Sequence, residues 1–320
     1  METVPIIIKP ETLQRGKQFE VLQRYVDANL LVSELYQANI PAQSFRNVCT
    51  IVPPFNRAEF PNEKQKVYSA IFAQITGHDA RKKIKQLTGE YTCPLKNFAG
   101  TIRADFSSDS QARALKEGRT IDDVVYYPED DASAQELRSF WINKLLTPRF
   151  NNFLYPKTTQ ESTLVLIKPD AFISGVAFRV LSRLQDTGAL CTGLYSTRIP
   201  EAKAREHYAD SIRRLGEDIG ASIVEYITSG DVIVSSFSGN DVVRKVRSLS
   251  GESWDPSVCS PGTIRFDFSL DDKRLADRED RATKNIIHSS DSVASASDEL
   301  QVWFNEQTHK LIFYGMKNDR

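Results

Sequence analysis

Asn285-Ile286-Ile287-His288-Ser289-Ser290-Asp291-Ser292 is the stretch on which the reading of this chain turns. An apolar pair runs into a histidine, and the histidine runs into small polar residues that start helices. Ile286 and Ile287 predict a short buried strand. Ser292 predicts the N-cap of a helix from Val293 to Phe304. The imidazole of His288 then lies between a strand end and a helix N-terminus, where an anion is favoured. Glu299 falls about two turns into that helix and is placed to reach back to the ring. A neutral histidine steered by a carboxylate is a nucleophile near pH 7. A lone histidine at a helix start is more often structural, so the surrounding residues have to decide.

Composition narrows the choices. The chain has 320 residues, enough for two domains that each bury a core. Lysine plus arginine (41) nearly balances aspartate plus glutamate (42), so no overall field draws it to nucleic acid or an anionic membrane. Cys49, Cys93, Cys191 and Cys259 are scattered without a CxxC pair, which argues against a zinc site and fits a reducing compartment. No apolar run approaches the length of a membrane span, and the N-terminus does not read as a signal peptide. A soluble, cytoplasmic protein is expected.

The chain contains itself twice. Thr76-Gly77-His78-Asp79-Ala80-Arg81-Lys82-Lys83-Ile84-Lys85-Gln86-Leu87-Thr88-Gly89-Glu90 mirrors Ser238 to Glu252 without a gap, at an offset of 162. The same offset pairs Gly100-Thr101-Ile102-Arg103 with Gly262-Thr263-Ile264-Arg265, Phe106 with Phe268, and Trp141 with Trp303. Nearer the start, Ile6-Ile7-Ile8-Lys9-Pro10-Glu11 answers Val165-Leu166-Ile167-Lys168-Pro169-Asp170 at an offset of 159. Ordered blocks of this kind indicate tandem duplication. The modules are 1–142 and 162–320. Residues 143–161, with Pro148 and Pro156 and no periodicity, read as a linker.

The second copy gives the coarse pattern. Thr163 to Lys168 predicts a strand closed by Pro169, and Val176 to Thr187 a helix stopped at Gly188. Cys191 to Thr197 predicts a strand, Glu201 to Ile227 two helical pieces around Gly216 and Gly220, and Asp231 to Phe237 a strand. Asp241 is expected to cap a helix through Leu249, and Ile286-Ile287 to form the fourth strand. The order is βαββαβ, an α+β fold with an antiparallel sheet covered by helices on one face.

The Asn-x-x-His-x-Ser-Asp motif at 285–291, together with Lys168-Pro169-Asp170, closely resembles the active site of the nucleoside diphosphate kinases. The resemblance implies tandem ferredoxin-like modules and a ping-pong transfer of the γ-phosphate of ATP to nucleoside diphosphates through phosphohistidine. His288 matches the family's nucleophile, Glu299 the carboxylate that orients it, and Tyr208 the tyrosine that meets the phosphoryl group. Lys168 matches the lysine on the phosphate and sugar. Arg247 and Arg265 match the arginines that clamp phosphates, where a planar fork suits oxygens. Ser253 stands at the family's threonine and Asn285 at its ribose-binding asparagine. Mg2+ is expected to arrive on the nucleotide, with no protein metal cage. Three features depart from the family. Ser211 to Ala221 lacks the aromatic pair usual there, leaving Leu215 and Ile219 as weak base platforms; Trp254 is bulky; and Asp271 to Lys284 is a charged insertion.

The first copy departs further. The offset puts Tyr126 at the place of His288, Lys85 at Arg247, Tyr91 at Ser253 and Asp123 at Asn285, where an acid is expected to repel phosphate. A phenol with a pKa of about 10 does not carry phosphoryl groups at neutral pH. Cys49 to Lys66 replaces much of the helical hairpin, and Lys9 and Arg103 alone persist. The first module reads as a pseudo-enzyme. Tandem members of the family with a silent module resemble axonemal, centrosomal and microtubule-associated proteins, which implies partners of that kind and a cilium or flagellum setting. The alternative function is therefore a structural component of such an assembly with vestigial kinase activity. The two halves are expected to pack as an internal pseudo-dimer, in contrast to the hexamers or tetramers of single-module relatives.

Overall fold

The computed structural model describes residues 1–41, 67–117, 121–140 and 160–305. The chain divides into two compact units, Met1–Leu154 and Tyr155–Arg320. Residues 143–159 of the expected linker and Trp141 lie outside the described residues. Glu161 already belongs to the second unit: its carbonyl accepts from Gly239 N–H at 3.0 Å and its carboxylate from Val243 N–H at 2.8 Å.

In the first unit the strands are β1 (Glu2–Ile8), β2 (Leu31–Pro41), β3 (Val67–Gly77) and β4 (Val125–Tyr126), in spatial order β4-β1-β3-β2. In the second they are β5 (Ser162–Ile167), β6 (Leu190–Arg198), β7 (Asp231–Ser238) and β8 (Ile287–Ser289), in order β6-β7-β5-β8. Neighbours within each unit run antiparallel. Each unit is thus a ferredoxin-like βαββαβ sheet, with the first strand central and the fourth beside it. Thr163 through Ile167 are all buried, so β5 is covered on both faces, more than the one-face expectation.

The two units match in details that sequence identity does not dictate. Ile7 pairs with Tyr126 as Leu166 pairs with His288. The register slips between Val32 and Glu34 in one unit and between Cys191 and Gly193 in the other, 159 residues apart. Asp79 and Asp241 both adopt left-handed backbone, as do Val124 and Ile286. Arg24 and Asp105 pair as Arg183 and Asp267 do, and each arginine also donates to the carbonyl of a matched glycine, Gly100 or Gly262. Phe178, Tyr195, Phe237 and Trp303 anchor the second core, and Phe19, Tyr25 and Tyr36 the first. A side chain of that size contributes about 1.5–3 kcal/mol on full burial.

Three local expectations need correction. Asp241 precedes the helix Val242–Ser250 but makes no capping bond, because at φ 57° its carboxylate turns to Arg244 instead. The segment expected as two helical pieces forms three helices, Glu201–His207, Ala209–Leu215 and Glu217–Thr228. Gly216 at φ 93° separates the last two, whereas Gly220 sits inside the third, where a Cβ would meet Ile212 at 2.7 Å. Gly220 is thus a packing residue, and the hairpin closes on its bare face. Finally, the fourth strand starts at Ile287, because Ile286 is in a turn.

Candidate active site

The site is built around that turn. Ile287 N–H donates back to Asn285 C=O at 2.7 Å across Ile286, whose φ is 68°. A three-residue turn with positive φ is costly for a β-branched residue, on the order of 1–3 kcal/mol. Three contacts hold it. Ile286 N–H donates to Asp170 Oδ2 at 2.9 Å, Lys168 N–H donates to Ile286 C=O at 2.8 Å, and Tyr226 O–H donates to Asp170 Oδ1 at 2.5 Å. Asn285 N–H completes the brace on the Tyr226 hydroxyl at 3.3 Å. The turn aims Asn285 one way and sends β8, with His288 at its centre, along β5.

His288 Nε2 lies 3.0 Å from Glu299 Oε1. A carboxylate only accepts, so Nε2 carries the proton and Nδ1 of the neutral ring keeps its lone pair. Ser290 O–H donates to Glu299 Oε2 at 2.5 Å and accepts from Leu164 N–H at 3.2 Å, tying the carboxylate to β5. Burial works to raise the Glu299 pKa, but His288 beside it holds the carboxyl below its ordinary range. The helix that supplies Glu299, Val293–Trp303, is capped by Ser292 as expected, with Ser295 N–H donating at 3.1 Å.

His207 stands edge-to-face with His288, ring centroids 4.6 Å apart. Trp303 Nε1–H donates to His207 Nδ1 at 3.2 Å, which leaves the proton on Nε2. Burial, then the neighbouring His288, depress its pKa to about 3, so His207 is neutral throughout the physiological range. Tyr208, next in sequence, is buried, and burial pushes its phenol well up, so it stays a donor.

The cations follow. Lys168 Nζ donates to Asn285 Oδ1 at 2.6 Å and lies 5.3 Å from the centre of the Tyr226 ring. Burial and Arg265 bring its pKa down to about 7, against the pull of Asp170. Arg265 donates to the carbonyls of Gly251 (2.9 Å), Ser253 (2.8 Å) and Ile287 (3.1 Å), and burial followed by Arg247 lowers its pKa to about 10. Its stem needs the glycine opposite: at Gly251, φ 115°, a Cβ would lie 2.9 Å from Cys259 Sγ and 3.4 Å from Arg265 Cβ. Arg247 is half-buried and close enough to be felt by Arg265. Ser253 contributes its carbonyl to Arg265, while its hydroxyl accepts from Asp255 N–H at 3.1 Å. Asn285 Nδ2 donates to the Trp254 carbonyl at 2.7 Å.

Neither Lys168 nor Arg265 has an ion-pair partner among the described residues. Buried cations without a counter-ion are expensive, and an arriving anion relieves the cost. Three buried polar atoms of the same site, His207 Nε2, Tyr208 Oη and Arg265 Nε, also lack a hydrogen-bond partner among the described residues. Orphaned donors beside cations without an ion pair make a polar setting that suits an oxyanion. His207, His288 and Glu299 hold ligand atoms within 4.8 Å of one another. They do not make a resident metal centre, because Trp303 occupies one nitrogen of His207 and leaves a proton on the other.

The nucleoside diphosphate kinase family model matches residues 161–309. Over 146 residues the chain is 35% identical to nucleoside diphosphate kinase 1 of Pisum sativum, covering 46% of this chain and 89% of that protein. It is 38% identical over 146 residues to the nucleoside diphosphate kinase of Thermoplasma acidophilum, with 46% and 89% covered. The chain belongs to the nucleoside diphosphate kinase family. A solved NDP kinase structure from Pyrobaculum aerophilum aligns at 29% identity and a TM-score of 0.43, over 47% of this chain and 98% of that one.

Within the kinase unit, the sequence-predicted His288, Glu299, Lys168, Asn285, Arg265 and Tyr208 are brought together, with Arg247 and Ser253 at the edge. Leu215 and Ile219, the weak base platforms, are 45% and 51% exposed, and Trp254 is 54% exposed. The charged insertion is a folded loop. It carries the helix Lys273–Arg278, capped by Asp272, and is closed by Arg281 donating to both oxygens of Asp271 at 2.6 and 3.0 Å. Sequence reasoning assigned no role to Ser290, His207, Asp170, Tyr226 or Trp303. Ser290 and Asp170 lay inside the quoted motifs and His207 beside Tyr208, whereas Tyr226 and Trp303 carried no local signal.

Proposed function

We propose that the second unit moves the γ-phosphate of a magnesium-bound nucleoside triphosphate to a nucleoside diphosphate through His288. As a member of its family the chain is a phosphotransferase, and what is proposed is the route. The lone pair of His288 Nδ1 attacks the γ-phosphorus; the Nδ1–P bond forms as the bond to the β,γ-bridging oxygen breaks, and the diphosphate leaves with that electron pair. The positive charge that appears on the imidazole is stabilised by Glu299, itself held by Ser290. In the second half a terminal oxygen of the acceptor diphosphate attacks the same phosphorus and Nδ1 leaves. Lys168, Arg247 and Arg265 neutralise phosphate oxygens, Tyr208 donates to the transferring group, and Asn285 and Ser253 hold the sugar and phosphate ends. Magnesium comes as part of the substrate.

The observation that carries this reading is the His288–Glu299–Ser290 relay next to two buried cations that form no ion pair among the described residues. The test is autophosphorylation from labelled ATP. Wild-type protein is expected to take an acid-labile label that passes to added GDP, and His288→Ala to take none. A chain that binds nucleotide yet takes no label would favour the second reading, a mainly structural part in a microtubule-based assembly such as an axoneme. That reading draws on the first unit, proposed to be a silent module, where Tyr126 replaces His288 and a fully buried Leu137 replaces Glu299. Partners of that kind and a pseudo-dimeric pairing of the modules belong to the same proposal.

A further inference from the structure

We propose that the first unit carries its own anion: the carboxylate of Asp123 takes the place between Lys9 and Arg103 that a substrate phosphate would take, so this unit folds around an internal charge and binds no nucleotide. The inference concerns the first unit alone and holds whether or not the second turns over.

The two units provide the comparison. Lys9 and Arg103 match Lys168 and Arg265 in sequence and in backbone setting, each pair flanking the same left-handed turn. In the first unit Val125 N–H donates to Asp123 C=O at 2.8 Å across Val124, φ 69°, and Lys9 N–H donates to Val124 C=O at 3.0 Å. The residue that opens the turn is Asn285 in one unit and Asp123 in the other. Asn285 is neutral and, among the described residues, its side chain accepts from Lys168 alone. Asp123 is charged and bridges both cations: Oδ1 pairs with Lys9 Nζ, and Oδ2 lies 3.3 Å from Arg103 Nη2. All three side chains are 5–6% exposed. The remaining Arg103 donors go to the carbonyls of Gly89, Asp123 and Val125, at 2.9, 3.3 and 3.2 Å.

Formal charge supports the comparison. Around the turn of the second unit, Lys168 and Arg265 face one nearby carboxylate, Asp170. In the first, beside Asp122, which pairs with Arg15, the two cations have two carboxylates, Asp123 between them and Glu11 near Lys9, because Glu11 stands at the position of Asp170. The net charge falls from plus one to zero, and the electrostatic reason to take up an anion goes with it. Even the outer cation is engaged: Lys85, at the place of Arg247, lies 3.6 Å from Glu90. The expectation that Asp123 would repel phosphate thus understates the case, since Asp123 occupies the cations. A buried carboxylate bridging two cations is held tightly, because removing it takes away the opposite charge that both share.

Hydrogen exchange on the full-length chain tests this, read on the segment 121–127 with and without inorganic phosphate, against chloride of equal ionic strength. Wild-type protection there is expected to be indifferent to phosphate and to ADP. In Asp123→Asn the segment is expected to exchange at least about tenfold faster, because the charged bridge between Lys9 and Arg103 is lost, and phosphate but not chloride is expected to restore protection. An Asp123→Asn protein that keeps β1 protected but ignores phosphate overturns the proposal. Should the variant lose β1 as well, the wild type decides: protection of 121–127 that responds to phosphate or ADP overturns it, and indifference supports it. A failure of the second unit to phosphorylate leaves this readout untouched.

Discussion

Lys168 makes the most quantitative prediction. Its ammonium group is buried, and burial with Arg265 brings its pKa from 10.5 to about 7. A depressed lysine is a cost: below pH 7 both folded and unfolded chains hold the proton, and the folded state bears the penalty of the buried charge. That penalty is relieved as pH rises from about 7 to 10.5, and in full it is on the order of 5 kcal/mol. An anion that binds beside Nζ reverses the depression, so the proposed function predicts that nucleotide binding recharges Lys168. The fraction of free protein lacking the proton is roughly 0.1 at pH 6, 0.5 at pH 7 and 0.9 at pH 8. Binding of ADP should take up about that many protons at each pH, and above pH 7 affinity should fall by about tenfold per unit. Calorimetric titration in buffers of contrasting ionisation enthalpy measures the uptake directly. In Lys168→Met the pH-dependent part should vanish, which separates it from the titration of the nucleotide itself. Uptake that does not rise between pH 6 and 8, or that survives in Lys168→Met, would refute the reasoning.

Two further changes probe the site and its surroundings. Glu299→Gln keeps a group that can accept from His288 Nε2–H but removes the charge facing the imidazolium, so single-turnover phosphorylation should slow by about 10- to 100-fold with nucleotide affinity little changed; an unchanged rate would remove Glu299 from the mechanism. Arg281→Ala leaves the Asp271 carboxylate, which is 6% exposed, with the Lys284 N–H at 2.7 Å but without its ion pair, and should lower the unfolding free energy by about 1–3 kcal/mol at pH 7. Burial opposes ionisation of Asp271, yet Arg281 keeps its pKa below the ordinary value. The pairing therefore stabilises above the unfolded carboxylate pKa and is lost as pH falls through the folded one, so denaturation of the wild type and of Arg281→Ala should converge only on the acid side of the ordinary carboxylate range.

Much of this site was legible because it is local. His288, Asn285 and Ser292 lie within one short stretch, and Glu299 follows at helical spacing, so chemistry and capping could be read from neighbours. The internal repeat was legible for another reason, since blocks such as Gly262-Thr263-Ile264-Arg265 recur at a fixed interval. What escaped were the long-range partners. Tyr226 reaches Asp170 across 56 residues and Trp303 reaches His207 across 96, and no periodicity encodes such contacts. Asp241 failed as a cap because its own backbone is left-handed, which residue type alone does not reveal. Gly220 was read as a breaker for the same reason, since a glycine needed for helix contact and one needed for a turn look alike in sequence.

The left-handed turn at Ile286 is the point where fold and chemistry meet, and the first unit separates the two. Val124 adopts the same conformation beside Tyr126, which has no imidazole to position. The strain therefore cannot be maintained for catalysis alone; it belongs to the way the fourth strand joins this fold, and the second unit uses it. Ile286 and Ile287 allow that strain to be weighed. They are the same residue type, adjacent, and 1% and 0% exposed, but only Ile286 has positive φ. Glycine at either position loses the same side chain from the core, a cost of several kcal/mol, together with about 1 kcal/mol of backbone entropy. At Ile286 alone it also releases the left-handed penalty. Ile286→Gly should therefore destabilise the protein by about 1–3 kcal/mol less than Ile287→Gly in denaturant titration. Equal losses would mean that the brace of Asp170, Tyr226 and Lys168 leaves the turn unstrained. A larger loss at Ile286 would mean that its side chain, rather than the turn, is what that brace protects.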